Sequence, residues 1–205
     1  MDLKIQNKVF IVTGGGSGIG GAISLALARE GGVPAIFARS VLTEEFSRTL
    51  SKTTPLSHFF KVELTDSERC RVGVDEVLQK YGRIDGLVNC AGANDGVSLE
   101  AGVDAFRRSL ENNLVHYYTM AHLCLPELKK NQGSIVNISS KTALTGQGGT
   151  SGYTAAKGAE LSLTREWAAS YLADGVRVNA VIPAEVWTPL YERWIKTFPD
   201  SQGKL

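Results

Sequence analysis

The chain has 205 residues, of which 43% are hydrophobic, and its formal net charge is +1. This is enough apolar material for one domain with a full core, so we expect residues 1–205 to form a single domain. The near-neutral charge and the lack of a lysine and arginine stripe give no reason to expect a nucleic-acid partner. No apolar run reaches the ~18 to 20 residues of a membrane span, and the N-terminus carries charges where a signal peptide needs an apolar core. The sequence therefore predicts a cytoplasmic protein without a membrane partner.

Cysteine and histidine give no sign of a metal site. The three cysteines form no C-x-x-C pair, and an odd number argues against a disulfide framework. The histidines, His58, His116 and His122, lack metal-ligand spacing, and His116 is most simply a packing or interface residue. We expect no metal and assign these residues no chemistry.

Short apolar runs alternate with amphipathic stretches along the whole chain. Strands are predicted over 9–12, 33–38, 59–62, 86–89, 134–138 and 176–182. Helices are predicted over 19–30, 66–81, 104–130 and 153–173. This alternation is typical of βαβ units with right-handed crossovers. The sequence predicts an α/β fold, a doubly wound Rossmann-type parallel sheet with helices on both faces.

A glycine-rich run joins the first strand to the first helix. Gly14, Gly18 and Gly20 lack Cβ atoms, so an anion can approach the backbone N–H groups and the positive end of the helix dipole. The spacing differs from the common G-x-G-x-x-G, and a glycine turn alone often serves only to redirect the chain. The run indicates a pyrophosphate site, with a plain turn as the alternative.

Small residues follow the fourth predicted strand, in the run from Asn89 to Gly92. Ligands of open α/β sheets bind at the carboxyl edge of the strands, where small residues let a flat cofactor lie against the sheet. An ordinary exit from strand to loop is the alternative.

Tyr153 and Lys157 are four residues apart and therefore share one helix face. A phenol titrates near pH ~10, so it serves as a base at neutral pH only when a nearby cation stabilises the phenolate. Ser139 and Ser140 end the preceding strand and bring a hydroxyl donor towards the same cleft. The pattern predicts proton transfer, whereas an exposed Tyr/Lys pair is the structural alternative.

Together these motifs resemble the short-chain dehydrogenase/reductase family, and the resemblance covers essentially the whole chain. The run from Thr13 to Gly20 is similar to the family's cofactor turn. The Asn89 to Gly92 segment is similar to its N-N-A-G segment, with Cys90 in place of the second Asn. Tyr153 and Lys157 resemble its Y-x-x-x-K pair.

The resemblance implies hydride transfer between a nicotinamide dinucleotide and a secondary alcohol or carbonyl. By this resemblance Tyr153 transfers the proton, and Lys157 lowers the pKa of its phenol. Ser140, rather than Ser139, orients the substrate. Asn113, rather than Asn112, would support a water in the proton relay. The implied cofactor contacts are Gly14, Ser17, Gly18, Ile19, Gly20, Glu63, Leu64, Asn89, Ala91, Gly92, Tyr153, Lys157, Pro183, Val186 and Thr188. Two further positions depart from the family pattern, since Glu63 replaces a more usual aspartate and Ala184 a usual glycine.

The end of the second strand bears on which nicotinamide cofactor is used. An acid there binds the ribose diol of NAD, whereas a guanidinium accommodates the 2′-phosphate of NADP. Ala38 fills the usual acidic position and is followed by Arg39, which can pair with phosphate through two hydrogen bonds. We therefore expect NADP in preference to NAD, although an arginine that stacks on adenine or faces water is compatible with NAD.

Family membership fixes the chemistry and leaves the alcohol open. The stretches from residue 139 to 147 and from 181 to 194 resemble bacterial L-fucose dehydrogenases, which implies a sugar or polyol substrate. Polar groups for a polyol, and a ring to stack on its apolar face, are offered by Asn94, Lys141, Gln147, Glu185 and Trp187. Simpler roles are the alternatives: Lys141 can be solvated, Glu185 can pair with a nearby cation, and Trp187 can pack in the lid.

Two other functions are compatible with parts of the pattern. A reductase of acyl-carrier or other ketones would share the catalytic residues, whereas a non-catalytic dinucleotide sensor would have no need of them. The resemblance also places a subunit interface on the helix over 110–128, which implies a homodimer or homotetramer, with packing on the sheet as the alternative.

Members of the family usually continue for several tens of residues beyond the position that corresponds to Leu205. We therefore expect the C-terminal strand and the lid to be truncated, with the sixth strand as an exposed edge.

Overall fold

The computed structural model describes residues 2–197, which form one six-stranded sheet in the order β3-β2-β1-β4-β5-β6. Every pair of neighbouring strands is parallel. The strands are β1 Val9–Thr13, β2 Val33–Ala38, β3 His58–Lys61, β4 Gly86–Asn89, β5 Ser134–Ile138 and β6 Arg177–Val181. The predicted doubly wound parallel sheet is confirmed.

Seven α-helices connect or follow these strands in the described part of the chain. They are α1 Gly18–Arg29, α2 Glu44–Thr53, α3 Ser67–Tyr81, α4 Val103–Leu110, α5 His116–Lys130, α6 Ser151–Ser170 and α7 Pro189–Ile195. The sequence pattern missed α2 and α7. In α2 only Leu50 is buried and polar residues predominate, and the helix begins at a cap, where the Thr43 hydroxyl accepts from Phe46 N at 3.3 Å.

The helices cover both faces of the sheet, as alternate residues of β1 show. Val9 and Ile11 pack in the main core with side chains of α3, α5 and α6. Val12 faces the other way and packs with Ile19, Ile23 and Leu27 of α1. This alternation follows from the period of two in a strand, and it fixes both layers against one sheet.

The single helix predicted over 104–130 is wrong in one respect, because a π-helical turn separates α4 from α5. The turn spans Glu111–Val115 and contains Asn113, which is fully buried. A π turn inserts one residue into the helical repeat, and a periodicity of three and four residues does not reveal it. Such turns occur often at functional sites.

Strand β6 lies at one edge of the sheet; its last residue, Val181, is 50% exposed, and the next residue, Ile182, is 40% exposed. The exposed edge expected for this strand is present within the described residues. Lid residues as far as α7 are described, and the part of the predicted lid beyond residue 197 lies outside them. Among residues 2–197, no helix is long and apolar enough to cross a membrane, and no group of histidine, cysteine and acidic residues is arranged to hold a metal.

Candidate active site

The glycine turn lies against the segment that follows β4. Gly14 has a φ of +65°, and its N–H donates to Phe37 O at 2.8 Å. A Cβ on Gly14 would approach Ala91 Cα to 3.1 Å, and one on Gly20 would approach Gly14 O to 2.4 Å. A side chain is therefore disfavoured by conformation and space at Gly14 and by space at Gly20, and the two predicted cofactor motifs form one surface.

Thr13 joins these motifs, a role that the sequence pattern did not assign to it. Its Oγ1 accepts from Cys90 N at 2.9 Å and from Ala91 N at 3.2 Å. The residue is fully buried at the end of β1. The hydroxyl thus fixes the carboxyl edges of β1 and β4 relative to each other, where a ligand of an open α/β sheet binds.

The N-terminus of α1 has the features of an anion site. Ser17 is the N-cap residue, but its side chain makes no capping hydrogen bond, and the first turn holds no acidic residue. Thr188 lies above this turn, because its Cβ would be 3.7 Å from a Cβ on Gly18. The Thr188 hydroxyl accepts from Tyr191 N at 3.1 Å and so begins α7. The uncapped N–H groups fit the pyrophosphate of a dinucleotide.

Other predicted cofactor residues lie around this cleft with different exposure. Arg39 directly follows β2 and Glu63 follows β3, and both are exposed. Thr65 Oγ1 donates to Glu63 at 3.1 Å, whereas within residues 2–197 no carboxylate forms an ion pair with Arg39. The remaining positions are Ile19 and Leu64, which pack partly buried against the core, and Pro183 and Val186, in the loop before α7.

The side chain of Asn89 points away from the cleft, into the sheet, and is fully buried. Its Nδ2 donates to Asn137 Oδ1 at 3.0 Å and to Tyr117 O at 3.3 Å. The side chain therefore joins β4 to β5 and α5, and only the backbone of Asn89 lies at the edge of the cleft.

Ser140 and Tyr153 come together at the end of β5. Tyr153 is half-buried, and burial raises the pKa of its phenol, while a hydrogen bond with the Ser140 side chain acts in the opposite direction. The neighbouring Ser139 hydroxyl donates instead to Lys157 O at 2.8 Å and is buried. Of the two serines, only Ser140 has a hydroxyl at the phenol.

Lys157 lies beneath Tyr153 and is 3% exposed. Its Nζ is 5.6 Å from the centroid of the Tyr153 ring. The ammonium donates to Tyr117 Oη at 3.0 Å, Ile138 O at 2.9 Å and Glu160 Oε1 at 2.8 Å. Tyr117 and Glu160 were not predicted as site residues. For Glu160 a signal exists in the sequence, since a carboxylate three residues after a lysine shares its helix face.

Asn113 packs behind Gly92, next to the same lysine. Its Oδ1 accepts from Ala93 N at 2.8 Å, and its Nδ2 donates to Ser109 O at 3.1 Å. A Cβ on Gly92, whose φ is +149°, would lie 2.9 Å from Asn113 Oδ1 and 3.7 Å from Lys157 Nζ. The π turn thus brings Asn113 to the glycine of the cofactor segment, whereas Asn112 is exposed.

Of the five predicted substrate residues, Lys141 and Glu185 contact each other, and the other three lie in exposed positions. Lys141 and Glu185 form an ion pair, which is the neighbouring-cation alternative considered for Glu185. Trp187 is 61% exposed, and its ring centroid is 5.9 Å from that of Tyr191. The other two residues are exposed in loops, Asn94, whose Oδ1 accepts from Gly96 N at 3.1 Å, and Gln147.

Comparison with known proteins shows the family of this chain. The sequence profile of the family described as short chain dehydrogenase matches residues 8–197. The chain is 36% identical to the L-fucose dehydrogenase of Bos taurus, covering 100% of this chain and 76% of that protein. It is 31% identical to the 3-oxoacyl-[acyl-carrier-protein] reductase of Thermotoga maritima, covering 93% of this chain and 79% of that protein.

The fold also matches solved structures. The crystal structure of Cj0485 dehydrogenase superimposes with a TM-score of 0.96 at 49% sequence identity, covering 100% of this chain and 78% of that one. Sequence profile, relatives and fold agree over residues 8–197, and the chain belongs to the short-chain dehydrogenase/reductase family of oxidoreductases.

Proposed function

We propose that the protein oxidises the secondary alcohol of a small sugar or polyol, with L-fucose as the leading candidate. The observation that carries the proposal is the convergence of Ser140, Tyr153 and Lys157 at one carboxyl edge of the sheet, with Asn113 behind them. The similarity to the bovine L-fucose dehydrogenase over the full chain supports the choice of sugar.

The residues present fit a nicotinamide dinucleotide. The uncapped N-terminus of α1 and the space kept free by Gly14 and Gly20 suit a pyrophosphate. Lys157 Nζ lies 3.7 Å from the position of a Cβ on Gly92, so its positive charge lies beside the predicted cofactor segment. When bound, the dinucleotide supplies the hydride chemistry, and the protein contributes orientation, proton transfer and electrostatics.

In this proposal Tyr153 takes the proton of the substrate hydroxyl as the carbon is oxidised. Ser140 donates a hydrogen bond to the substrate oxygen and holds it at the phenol. Lys157 stabilises the phenolate with its positive charge, and Asn113 supports a water path from Lys157 to solvent. In the reductive direction the same groups return the proton.

For the dinucleotide we propose NADP in preference to NAD. Arg39 follows β2 directly, and Ala38 offers no carboxylate for the ribose diol. The guanidinium is exposed and free of ion pairs within residues 2–197, so it can bind a 2′-phosphate through charge-assisted hydrogen bonds.

The substrate side of the cleft is proposed to consist of polar groups and one aromatic ring. The ion pair between Lys141 and Glu185 offers both donors and acceptors to a polyol, and Trp187 exposes an aromatic face. Asn94 and Gln147 lie on neighbouring loops and are proposed as outer contacts.

A ketone reductase acting on an acyl-carrier substrate is the second candidate, favoured by the similarity to the Thermotoga maritima reductase. It would use the same four catalytic residues, so the substrate distinguishes the two activities. A non-catalytic dinucleotide sensor is a third possibility, and the convergence of Ser140, Tyr153 and Lys157 argues against it.

We also propose that the protein is a cytoplasmic homodimer or homotetramer. Apolar side chains on α4 and α5 support the oligomer, since Val103 is 64% exposed and Tyr118 is 56% exposed. Light scattering of the purified protein tests this, and a monomer at micromolar concentration contradicts it.

The activity is tested by following the absorbance of reduced nicotinamide with L-fucose and related aldoses, with NADP and NAD in parallel. Reduction with L-fucose and NADP is expected. A protein that binds the dinucleotide but oxidises no sugar contradicts the substrate proposal. Turnover of a 3-oxoacyl thioester in that case supports the second candidate, and absence of all turnover supports a sensor.

A further inference from the structure

The three N–H donors of the Lys157 ammonium are all engaged within the protein. An ammonium has three donors and no acceptor. They reach Tyr117 Oη, Ile138 O and Glu160 Oε1 at 3.0, 2.9 and 2.8 Å. Of these partners, only the Glu160 carboxylate brings a negative charge, so it decides how much of the lysine's charge acts on its surroundings.

Glu160 is unusual because it is a carboxylate buried on the inner side of α6. Its side chain is fully buried, and its second oxygen, Oε2, has no hydrogen-bond partner among the described residues. A buried carboxylate is costly unless it is paired, and Lys157 is the cation that pairs with it. The carboxylate is therefore retained in the core beneath the proposed active site at a cost to stability, which points to a role in that site.

Glu160 and Tyr153 lose their protons one after the other as the pH rises. Burial raises the pKa of Glu160 to about 8, with Lys157 opposing that rise. The pKa of Tyr153 is raised above its usual 10, first by burial and then by the charge of Glu160, among others. Glu160 has therefore lost its proton before the phenol titrates, and the phenolate forms against a charged carboxylate.

Other titratable groups face this cluster from the elements packed around it. Cys90 lies after β4, Asp95 in the following loop, and Tyr117 and His116 at the start of α5. Burial raises the pKa of Cys90 to about 11 and that of Tyr117 well above 10, and it lowers the pKa of His116 to about 4. These three groups are uncharged between about pH 8 and 10, where Glu160 has lost its proton, which leaves Lys157, Glu160 and Asp95 as the charges near the phenol.

We propose that Glu160 is a positioning residue for proton transfer at Tyr153: its carboxylate holds the Lys157 ammonium at the base of the site and offsets part of its positive charge at the phenol. The role rests on the proposed function, in which Tyr153 is the proton acceptor. Glu160 itself touches neither the substrate nor the dinucleotide in this assignment.

The test is Glu160→Gln, which keeps the size of the side chain and an oxygen for Lys157 but removes the charge. The pKa of Tyr153 is measured by ¹³C NMR of protein labelled at the tyrosine ring carbons, without dinucleotide or substrate. The Tyr153 resonance is assigned from its loss in Tyr153→Phe. We expect the pKa of Tyr153 to fall by about one pH unit in Glu160→Gln, because loss of one nearby charge in a partly polar interior shifts a pKa by about that much.

Two further variants make the result specific. Glu166→Gln removes an exposed carboxylate from the same helix, one that accepts from Ser170 at 3.0 Å, and it should leave the Tyr153 pKa unchanged. Glu160→Met removes the buried charge without introducing an amide, so it carries the same expectation as Glu160→Gln if that variant does not fold. An unchanged or raised Tyr153 pKa in a folded Glu160 variant overturns the proposal.

A kinetic readout separates this inference from the proposed function. If the protein is active, the acidic limb of the pH profile of kcat/KM should shift to lower pH by about one unit in Glu160→Gln. At a given pH on that limb, kcat/KM should then be up to about tenfold higher than in the original protein. If the protein oxidises no sugar, the proposed function fails, but the NMR measurement still decides the role of Glu160. A profile that does not move while kcat/KM falls uniformly overturns the inference and indicates a structural role.

Discussion

The ammonium nitrogen of Lys157 lies 5.6 Å from the centre of the Tyr153 ring, on the same face of α6. The four-residue spacing in the sequence dictates that shared face. The fold adds Ser140 from the end of β5 at the phenol and Asn113 from the π turn behind Gly92. Groups from three parts of the chain thus meet in the site that we propose for proton transfer.

The two adjacent serines should respond differently to removal of their hydroxyls. Ser140→Ala is expected to lower kcat/KM about 100-fold, because it removes a donor to the reacting oxygen. Ser139→Ala removes a buried hydrogen bond to Lys157 O and should instead lower the free energy of unfolding by about 1 kcal/mol, with a far smaller effect on kcat/KM. Steady-state kinetics and urea unfolding of both variants test this, and equal kinetic losses contradict the assignment.

Arg39→Ala should reduce the preference for NADP. Loss of a charge-assisted hydrogen bond to phosphate is expected to raise KM for NADP about 10- to 100-fold, while KM for NAD changes only a few-fold. Arg29→Ala is the control, because that exposed arginine lies at the far end of α1 from the glycine turn. Parallel changes in KM for both cofactors would show that Arg39 does not read the 2′-phosphate.

Asp85 should be a major determinant of stability far from the proposed chemistry. It is 4% exposed and accepts from Val9 N at 2.9 Å and from Arg83 Nε at 2.8 Å. Asp85→Ala leaves the Val9 N–H without its partner at the start of the central strand, and we expect a loss of about 3 kcal/mol. Asp75→Ala breaks the exposed pair with Arg71 and should change stability little. Urea unfolding decides, and comparable losses in both variants contradict the prediction.

The buried His116 should make the protein less stable in mild acid. Burial lowers its pKa from 6.5 to about 4, opposed by a hydrogen bond with Asn112 O. Because the folded pKa is below the unfolded one, the contribution is fully present above pH 6.5 and is lost as the pH falls towards 4. The loss amounts to up to about 3 kcal/mol.

His116→Gln should therefore flatten the pH dependence of unfolding between pH 6.5 and 4. His122→Gln, an exposed position on the same helix, serves as the control and should keep the slope of the original protein. Thermal unfolding followed by circular dichroism across this range measures the effect. A slope that is the same with and without His116 contradicts the prediction.

The strands were predictable because each is a short apolar run, and β2, β4 and β5 begin and end where the pattern placed them. The pattern missed α2, where polar residues outnumber apolar ones and a cap begins the helix. It also missed the π turn, since one inserted residue barely changes a helical period.

The candidate site was predictable where a local motif carries it, as at Gly14 or in the pair Tyr153 and Lys157. Contacts between distant segments were not predictable, such as Thr188 above Gly18. Glu160 was overlooked because a carboxylate on a helix is usually exposed, and only the fold shows that this one is buried against Lys157.

The most direct measurement compares the original protein with Tyr153→Phe in the oxidation of L-fucose, together with dinucleotide binding followed by fluorescence. The account predicts that the original protein reduces NADP. It also predicts that Tyr153→Phe binds the dinucleotide within a few-fold of the same affinity while kcat falls at least about 1000-fold, since the proton acceptor is lost. Turnover by Tyr153→Phe at the rate of the original protein would contradict the central claim.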